Sequence, residues 1–264
     1  MFLGNNPTLV STSVRMKLIK TLFILLIAFT ITAHAQTIRV AAAANLQSVI
    51  NVLGNDFKKS TGIAIEPIMG SSGKLVAQIS NGAPYDVFLS ADMEFPQKLV
   101  NDGLAEGEPV VYALGSLIVC NMQEEMFMKD WPTLLSKDNI EKIAIANPKI
   151  APYGKAAEEA LTKLKLLDKV KSKLVYGESI AQVNAYITTG VVTVGFTTQA
   201  LVTDVGRRKA FHWAIVDPKL YSPIAQGMVL LRKSADKVSA QKFYDYMLSP
   251  PAKSILKKYG YIVR

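Results

Sequence analysis

The sequence predicts an α/β protein that is built from two lobes, each a β-sheet covered by helices. Short apolar runs alternate with stretches whose apolar residues recur at helical spacing, which is the pattern of α/β proteins. Half of the 264 residues are apolar, so the chain can bury a full core in one large domain or two smaller ones. No internal repeat, coiled-coil heptad or low-complexity tract interrupts the alternation.

The first half of the chain contains three predicted strands, and a predicted helix follows each of them. The strands are "TIRVAAAA" (37–44), "IAIEPI" (63–68) and "DVFLSA" (86–91). Asn45 is a predicted cap of the first helix, "NLQSVINVLGNDFKKSTG", and Gly62 is its predicted end. The second helix, "SSGKLVAQISNG", is predicted to bury Leu75, Val76 and Ile79. The third predicted helix is "EFPQKLVNDG".

The second half repeats the alternation with new segments. Predicted strands lie in "GSLIVC" (115–120), "KIAIAN" (142–147), "LVYG" (174–177) and "VTVGFT" (192–197). His212 is expected in or beside a further strand. One helix is predicted over "KAAEEALTKLKLLDKV" (155–170), and another over "ESIAQVNAYITTG", which Gly190 ends. In the last helix, Ser249 is a predicted cap and Pro250 suits the first turn.

The chain is predicted to cross between the lobes twice, near residues 113–115 and near residues 222–227. Residues 36–114 together with 226–264 then form lobe 1, and residues 115–225 form lobe 2. The C-terminal segment is therefore expected to return to lobe 1, a point that hydrophobic periodicity alone does not decide.

Residues 1–35 are predicted to be a secretory signal peptide. Three cations precede an apolar run at 22–32, and "AHA" at 33–35 gives a small-residue cleavage pattern before Gln36. The run is short for a membrane span. There is no cysteine at the cleavage point, so nothing in the sequence suggests a lipid anchor. Met16 is a candidate for the true start, because the residues before it lack the character of the charged n-region of a signal peptide. The sequence therefore predicts an exported, periplasmic protein.

The full chain has a formal net charge of +9 at pH 7, and loss of residues 1–35 lowers it to +6 because they hold three cations and no acid. A basic balance is compatible with nucleic acid, an anionic membrane surface or an anionic ligand. Export argues against nucleic acid, and the lysines are spread along the chain, as on an ordinary solvated surface. Cys120 is the single cysteine, which excludes an intramolecular disulfide and suits a small apolar strand residue.

Four strand-to-helix junctions share one chemical character. The segments "AAAANL", "GSSGKL", "NPKIAPYGKA" and "GESIAQV" are small or neutral-polar where each helix begins. The first turn of a helix has unpaired N–H groups and a partial positive charge, which suit an anion. Asn45, Ser71, Ser72 and Tyr153 can add side-chain donors. Each of these residues taken singly fits a structural role such as helix capping, and the four junctions together favour an anion site.

No junction places a carboxylate at the donor cluster, although Asp92 and Glu178 are close in sequence. A site made of donors suits a dianion that carries no proton, because a proton on the ligand would need an acceptor. The composition of these loops therefore favours molybdate, tungstate or sulfate over phosphate.

Four segments closely resemble the periplasmic molybdate-binding proteins of ABC importers: "IRVAAAANL", "GSSGKLVAQISNGAPYDVFLSAD", "NPKIAPYGKAAEEAL" and "FYDYMLSPPAKSILKKYGY". The resemblance runs from about Ile38 to the C-terminus. It implies a type II periplasmic-binding-protein fold, with two α/β lobes and a ligand cleft between them. It also implies a monomer that captures molybdate, and tungstate as well, for an ABC permease and its ATPase at the inner membrane. No cofactor is implied.

Carried over position by position, the resemblance implies a ligand-binding set of Ala44, Asn45, Ser72, Tyr153 and Ile180. Ala44 and Ile180 would contribute backbone amides. The metal atom of the ligand would be reached only through its oxygens, without direct metal ligands. Thr198 stands where some relatives have a tyrosine, so the phenol of Tyr153 is the candidate substitute for that contact. Whether Thr198 or Lys74 contacts the ligand stays open.

Other classes of protein fit the sequence less well. Residues 36–264 contain one histidine, His212, and no Cys–His pair, G-x-S-x-G or HExxH pattern, which argues against an enzyme. The ligand domain of a regulator would need a helix-turn-helix where the signal peptide stands. Among binding proteins, a receptor for sulfate or another tetrahedral oxyanion is the alternative, because the sequence does not give the size of the pocket.

Overall fold

The computed structural model describes residues 37–122, 128–203 and 211–263. The predicted signal peptide, with Met16 and the cleavage point at Gln36, lies outside the described residues. Within these three segments, no helix has both the length and the apolar character that a membrane crossing requires.

Strands and helices alternate along these segments. The strands are β1 (Thr37–Ala43), β2 (Ala64–Gly70), β3 (Val87–Leu89), β4 (Ala105–Gly115), β5 (Leu117–Asn121), β6 (Ile143–Ala146), β7 (Leu174–Gly177), β8 (Val194–Thr198), β9 (His212–Ile215) and β10 (Ile224–Leu231). The helices are α1 (Ile50–Thr61), α2 (Ser72–Ser80), α3 (Glu94–Asn101), α4 (Trp131–Leu135), α5 (Pro152–Lys163), α6 (Leu167–Val170), α7 (Ile180–Thr188), α8 (Gln199–Thr203), α9 (Lys237–Met247) and α10 (Pro250–Lys258). Short 3₁₀ turns lie at Ala44–Leu46, Met128–Asp130, Lys171–Lys173 and Pro218–Leu220.

The strands form two mixed sheets, one in each lobe. The first has the order β2-β1-β3-β10-β4, and the second has the order β7-β6-β8-β5-β9. In the first sheet, β1 is parallel to β2 and β3, while β10 is antiparallel to its neighbours β3 and β4. The chain passes from the first sheet to the second at Ser116 and returns between β9 and β10. The fold is thus the two-lobed α/β architecture that the sequence predicts.

Helices cover both faces of the first sheet because alternate residues of its strands point to opposite sides. Along β1, Ile38 and Val40 join the core under α1, α9 and α10, whereas Ala41 joins the core under α2 and α3. The C-terminal helices therefore pack on the first sheet. The second lobe has a core of its own, centred on β5, β6 and β8 and covered by helices that include α5 and α7.

Several local predictions are confirmed. Gly62 ends α1 in the left-handed conformation with φ 77°, and Gly190 follows α7 with φ 70°. The hydroxyl of Ser249 accepts a hydrogen bond from the N–H of Ala252 and caps α10, as expected. Cys120 is a fully buried residue of β5. These residue types determine the ends of their elements through local backbone geometry.

Two predictions are corrected by the structure, and one further strand has no counterpart among the predictions. Asn45 does not cap the first helix, since it lies in a 3₁₀ turn and α1 begins only at Ile50. The single helix predicted over residues 155–170 is two helices, α5 and α6, because the chain turns at Lys165, which has φ 56°. The eleven-residue strand β4 was not predicted, because its first half, "AEGEP", has the composition of a loop.

Phe57 gives a test of how the C-terminal helices stabilise lobe 1. It is fully buried, and its ring centroid lies 5.2 Å from that of Phe243 and 5.3 Å from that of Tyr246. Phe57→Ala is expected to lower the free energy of unfolding by about 3–5 kcal/mol, since it leaves a cavity among aromatic rings. Urea unfolding measures this. Val52→Ala, at a half-exposed position of the same helix, is the control, and equal losses would contradict this packing.

Candidate functional site

A small cavity lies where the loops of the two sheets meet. About 10 Å³ of it is open to the centre of a water-sized sphere, far below the roughly 300–1,000 Å³ of the cavities that hold drug-sized ligands. It is lined by Ala43, Ala44, Asn45, Ser71, Ser72, Ala91, Ala151, Pro152, Tyr153 and Ile180. The first six belong to lobe 1 and the last four to lobe 2, so the cavity lies between the lobes, and it is too small for a drug-sized ligand.

Three helices of eight or more residues begin at this cavity. Ser71, Ala151 and Ser179 are extended residues that turn the chain into α2, α5 and α7 respectively. The first N–H groups of a helix have no partner within the helix. Among the described residues, no group accepts a hydrogen bond from the N–H of Ser72, Tyr153 or Ile180. The cavity therefore offers unpaired backbone donors from both lobes.

Three buried side-chain atoms in the described part of the chain have no hydrogen-bond partner: Asn45 Oδ1, Ser71 Oγ and Tyr153 OH. All three residues line the cavity. An unsatisfied buried polar group costs on the order of 1–3 kcal/mol, so such atoms are rare in native structures and call for an explanation. Their concentration around one cavity indicates that a polar ligand completes this site.

The hydroxyl groups of Ser72 and Tyr153 are both available as donors. Ser72 Oγ accepts a hydrogen bond of 3.1 Å from the N–H of Ala91, which leaves its own hydrogen for a ligand. Tyr153 is 1% exposed, and burial raises the pKa of its phenol well above the ordinary value. The phenol therefore stays protonated and can donate at neutral pH.

Asn45 is held by a buried network rather than left free to donate. Its Nδ2 donates to Gln226 Oε1 at 2.8 Å and to Tyr261 OH at 3.0 Å, which uses both amide hydrogens. Tyr261 OH in turn donates to the backbone carbonyl of Asn45 at 2.9 Å. Gln226 Nε2 donates to the carbonyls of Ile224 and Ala91. The network determines the orientation of the Asn45 amide and leaves Oδ1, an acceptor, without a partner.

Among the described residues, none that lines the cavity carries a charge. The carboxylate of Asp92 accepts hydrogen bonds from Ser90 Oγ and from the N–H of Phe95, and burial raises its pKa. Glu178 forms an ion pair with Lys74. No cluster of three or more His, Cys, Asp or Glu that could hold a metal ion is found in residues 37–122, 128–203 and 211–263. Neutral donors thus dominate the site, and their chemistry suits an anion.

The structure brings the predicted site residues together. Ala44, Asn45, Ser72, Tyr153 and Ile180 all line the cavity, and their contact with a ligand stays a prediction. Thr198 lies in β8, is 2% exposed and does not line the cavity. Ser71 also lines the cavity; the sequence indicates it as a possible donor, but the family resemblance does not include it in the binding set. The lining residues Ala91 and Ala151 gave no signal in the sequence beyond their small size.

Comparison with known proteins gives consistent matches. The family of bacterial extracellular solute-binding proteins matches residues 38–262. A molybdate-binding protein ModA from Azotobacter vinelandii is 38% identical over 230 residues, covering 87% of this chain and 91% of the relative. A putative ABC transporter substrate-binding lipoprotein, YvgL, from Bacillus subtilis is 34% identical, covering 85% of this chain and 86% of the relative.

A solved structure shows that the similarity extends to the fold. The periplasmic molybdate-binding protein of Azotobacter vinelandii superposes with a TM-score of 0.82 at 34% identity, covering 86% of this chain and 99% of that one. The names of these relatives describe binding proteins, one of them of an ABC transporter, and none of them describes an enzyme. With its two-lobed fold and its cavity of neutral donors between the lobes, the chain belongs to the bacterial extracellular solute-binding proteins and is a ModA-like member of that family.

Proposed function

We propose that this protein is exported, captures molybdate, and also tungstate, and delivers it to an ABC import permease. The observation that carries the proposal is the cavity itself, where unpartnered Ser71 and Tyr153 hydroxyls stand beside unpaired N–H groups at three helix N-termini. A tetrahedral dianion supplies acceptors on all sides and needs no donor in return. The relatives named above support the choice of ligand.

The mechanism follows from the arrangement of these donors. The N–H groups of Ser72, Tyr153 and Ile180 and the hydroxyls of Ser71 and Ser72 would replace the hydration shell of the oxyanion. The donors are fixed by α2, α5 and α7 before the ligand arrives, so little reorganisation opposes binding. Because they belong to both lobes, a bound oxyanion holds the lobes together, and the closed surface is what the permease would recognise.

One atom favours a second candidate ligand. Asn45 Oδ1 is a buried acceptor at the cavity, and a protonated oxyanion such as hydrogen phosphate could donate to it, whereas molybdate could not. Sulfate, which has the same shape and charge as molybdate, is the other alternative. The three anions differ in size and protonation, so direct titration distinguishes them.

Calorimetry on protein purified from the exported fraction tests the proposal, with molybdate, tungstate, sulfate and phosphate titrated in turn. Tight one-to-one binding of molybdate and tungstate, with sulfate and phosphate weak, is the expected result. Tight binding of phosphate would assign the acceptor role to Asn45 Oδ1 and replace the proposed ligand. An absence of binding with all four anions would overturn the proposal. An N-terminal residue other than Gln36 in the exported protein would contradict the predicted cleavage point.

A further inference from the structure

Two ion pairs connect the lobes beside the cavity. Lys74 Nζ lies 2.6 Å from Glu178 Oε1, and Lys155 Nζ lies 3.1 Å from Glu94 Oε2. Lys74 in α2 and Glu94 in α3 belong to lobe 1, whereas Lys155 in α5 and Glu178 just before α7 belong to lobe 2. Each lobe therefore contributes one lysine and one glutamate, and both pairs cross the cleft.

All four charged residues lie close in sequence to residues that line the cavity. Lys74 follows Ser72 by two positions, Lys155 follows Tyr153 by two, Glu178 precedes Ile180 by two, and Glu94 follows Ala91 by three. The ion pairs can therefore form only when the loops that line the cavity approach one another.

Between these pairs, the backbones of the lobes touch directly. The N–H of Gly73 donates to the carbonyl of Ile150 at 3.0 Å. A methyl group at Gly73 would lie 3.0 Å from Ile150 Cα, which is tighter than ordinary contacts. The absence of a side chain at Gly73 thus allows the close approach that also brings the charged groups within reach.

The positions of the lysines are unfavourable within their own helices. Lys74 is the third residue of α2 and Lys155 the fourth of α5, and a cation in the first turn opposes the helix dipole. In both cases a carboxylate from the opposite lobe neutralises the cation. The charge pattern is therefore explained by contact between the lobes and not by the stability of either helix.

The Lys155–Glu94 pair also lies next to the site. Both residues line a second cavity, which shares Ala91 and Pro152 with the first one. This ion pair therefore connects the lobes directly beside the walls of the first cavity.

We propose that Lys74–Glu178 and Lys155–Glu94 are electrostatic latches that form on closure of the lobes and slow the release of the bound oxyanion. The inference rests on the proposed function and extends it to the rate of exchange. All four side chains are at least half exposed, so each pair contributes modestly and is screened by salt. Raising the salt concentration is therefore expected to speed release from the wild-type protein.

Charge reversal at Glu178 separates a latch from a general effect of charge. Glu178→Lys places a second lysine opposite Lys74 and so breaks the latch. It also makes the surroundings of the cavity more positive. A general field would then bind an anion more tightly, whereas a latch predicts faster release, by about five- to twentyfold. Release is measured by chasing isotope-labelled molybdate with unlabelled molybdate. Lys74→Glu/Glu178→Lys restores the opposite charges and is expected to return the rate to within about twofold of wild type.

Asp102→Lys is the matched control, because Lys98–Asp102 is an exposed ion pair of 2.8 Å at the C-terminal end of α3, within lobe 1 alone. It makes the same change of charge without touching the cleft and should leave release unchanged. An unchanged rate in Glu178→Lys, or a swap that does not restore it, would overturn the latch. If wild-type protein does not bind molybdate, the proposed function fails, and the latch is tested without ligand.

The test without ligand measures the distance between the lobes. Spin labels are attached at Lys59→Cys in α1 and Lys169→Cys in α6, both exposed positions, while Cys120 is fully buried. Glu178→Lys should decrease the population with the short distance seen in the wild-type protein, and the charge swap should restore it. Identical distance distributions in the three proteins would contradict a latch, whatever ligand the protein binds.

Discussion

Ser72→Ala is expected to weaken molybdate binding by between about 10-fold and about 150-fold. The hydroxyl of Ser72 has a hydrogen available for the ligand, and a hydrogen bond to a charged group contributes about 1.5–3 kcal/mol. The change also removes the acceptor of the Ala91 N–H, which lies at the wall of the same cavity. Calorimetry measures the loss of affinity, and thermal unfolding without ligand shows whether the protein remains folded.

Two serines of the same segment make this prediction specific. Ser71 Oγ has no partner in the ligand-free site, so Ser71→Ala should weaken binding and yet leave the stability of the free protein unchanged or slightly higher. Ser80, at the exposed end of α2, is the control, and Ser80→Ala should change neither quantity by a measurable amount. Normal affinity in folded Ser71→Ala and Ser72→Ala proteins would mean that the paired serines only shape the start of the helix.

Gly115→Ala is expected to reduce molybdate binding by a similar amount through a different cause. Gly115 is the last residue of β4, and a methyl group there would overlap with the hydroxyl of Tyr153 and lie 2.8 Å from Gln226 Nε2. Tyr153 is enclosed on all sides, so it cannot move aside without disturbing the start of α5. Overpacking of this kind costs about 1–3 kcal/mol, and here it opposes the closed site.

The source of that loss can be checked in two ways. Gly115→Ala/Tyr153→Phe removes the overlap with the hydroxyl and should recover part of the thermal stability lost in Gly115→Ala, although the ring carbon Cζ remains 2.9 Å from the new methyl group. Gly107→Ala lies in the same strand and has a φ of 69° with open space around it. It should cost stability through backbone strain but leave binding intact. Equal losses of binding in Gly107→Ala and Gly115→Ala would contradict the role given to Tyr153.

Much of the fold could be predicted because its elements have strong local signals. Gly62 and Gly190 end helices because glycine adopts positive φ easily, and Ser249 begins one because its hydroxyl caps the first turn. Both effects depend on the residue itself and its immediate neighbours. The turn at Lys165 between α5 and α6 could not be predicted, because the apolar residues on both sides of it keep the spacing of one continuous helix. Strand β4 was missed because its pairing with β10, which begins more than a hundred residues later, overrides its loop-like composition.

The site could be located from the sequence but not worked out in detail. The composition of the junctions and the family resemblance indicated the loops that the structure brings together. The two amide hydrogens of Asn45 were expected to be available, but Gln226 and Tyr261 accept them from distant parts of the chain. Likewise, no local signal pairs Lys74 with Glu178. Such contacts depend on which loops meet in three dimensions, and residue spacing does not contain that information.

The position of β10 has a consequence for the order in which the protein folds. This strand lies between β3 and β4 in the first sheet, and the aromatic core of that lobe includes Phe243 and Tyr246 from α9. The N-terminal lobe therefore lacks a central strand and part of its core until nearly the whole chain is present. The second lobe is continuous in sequence, and the five strands that the described residues give its sheet all precede β10. The middle of the chain can fold first, which reverses the usual N-terminal-first order.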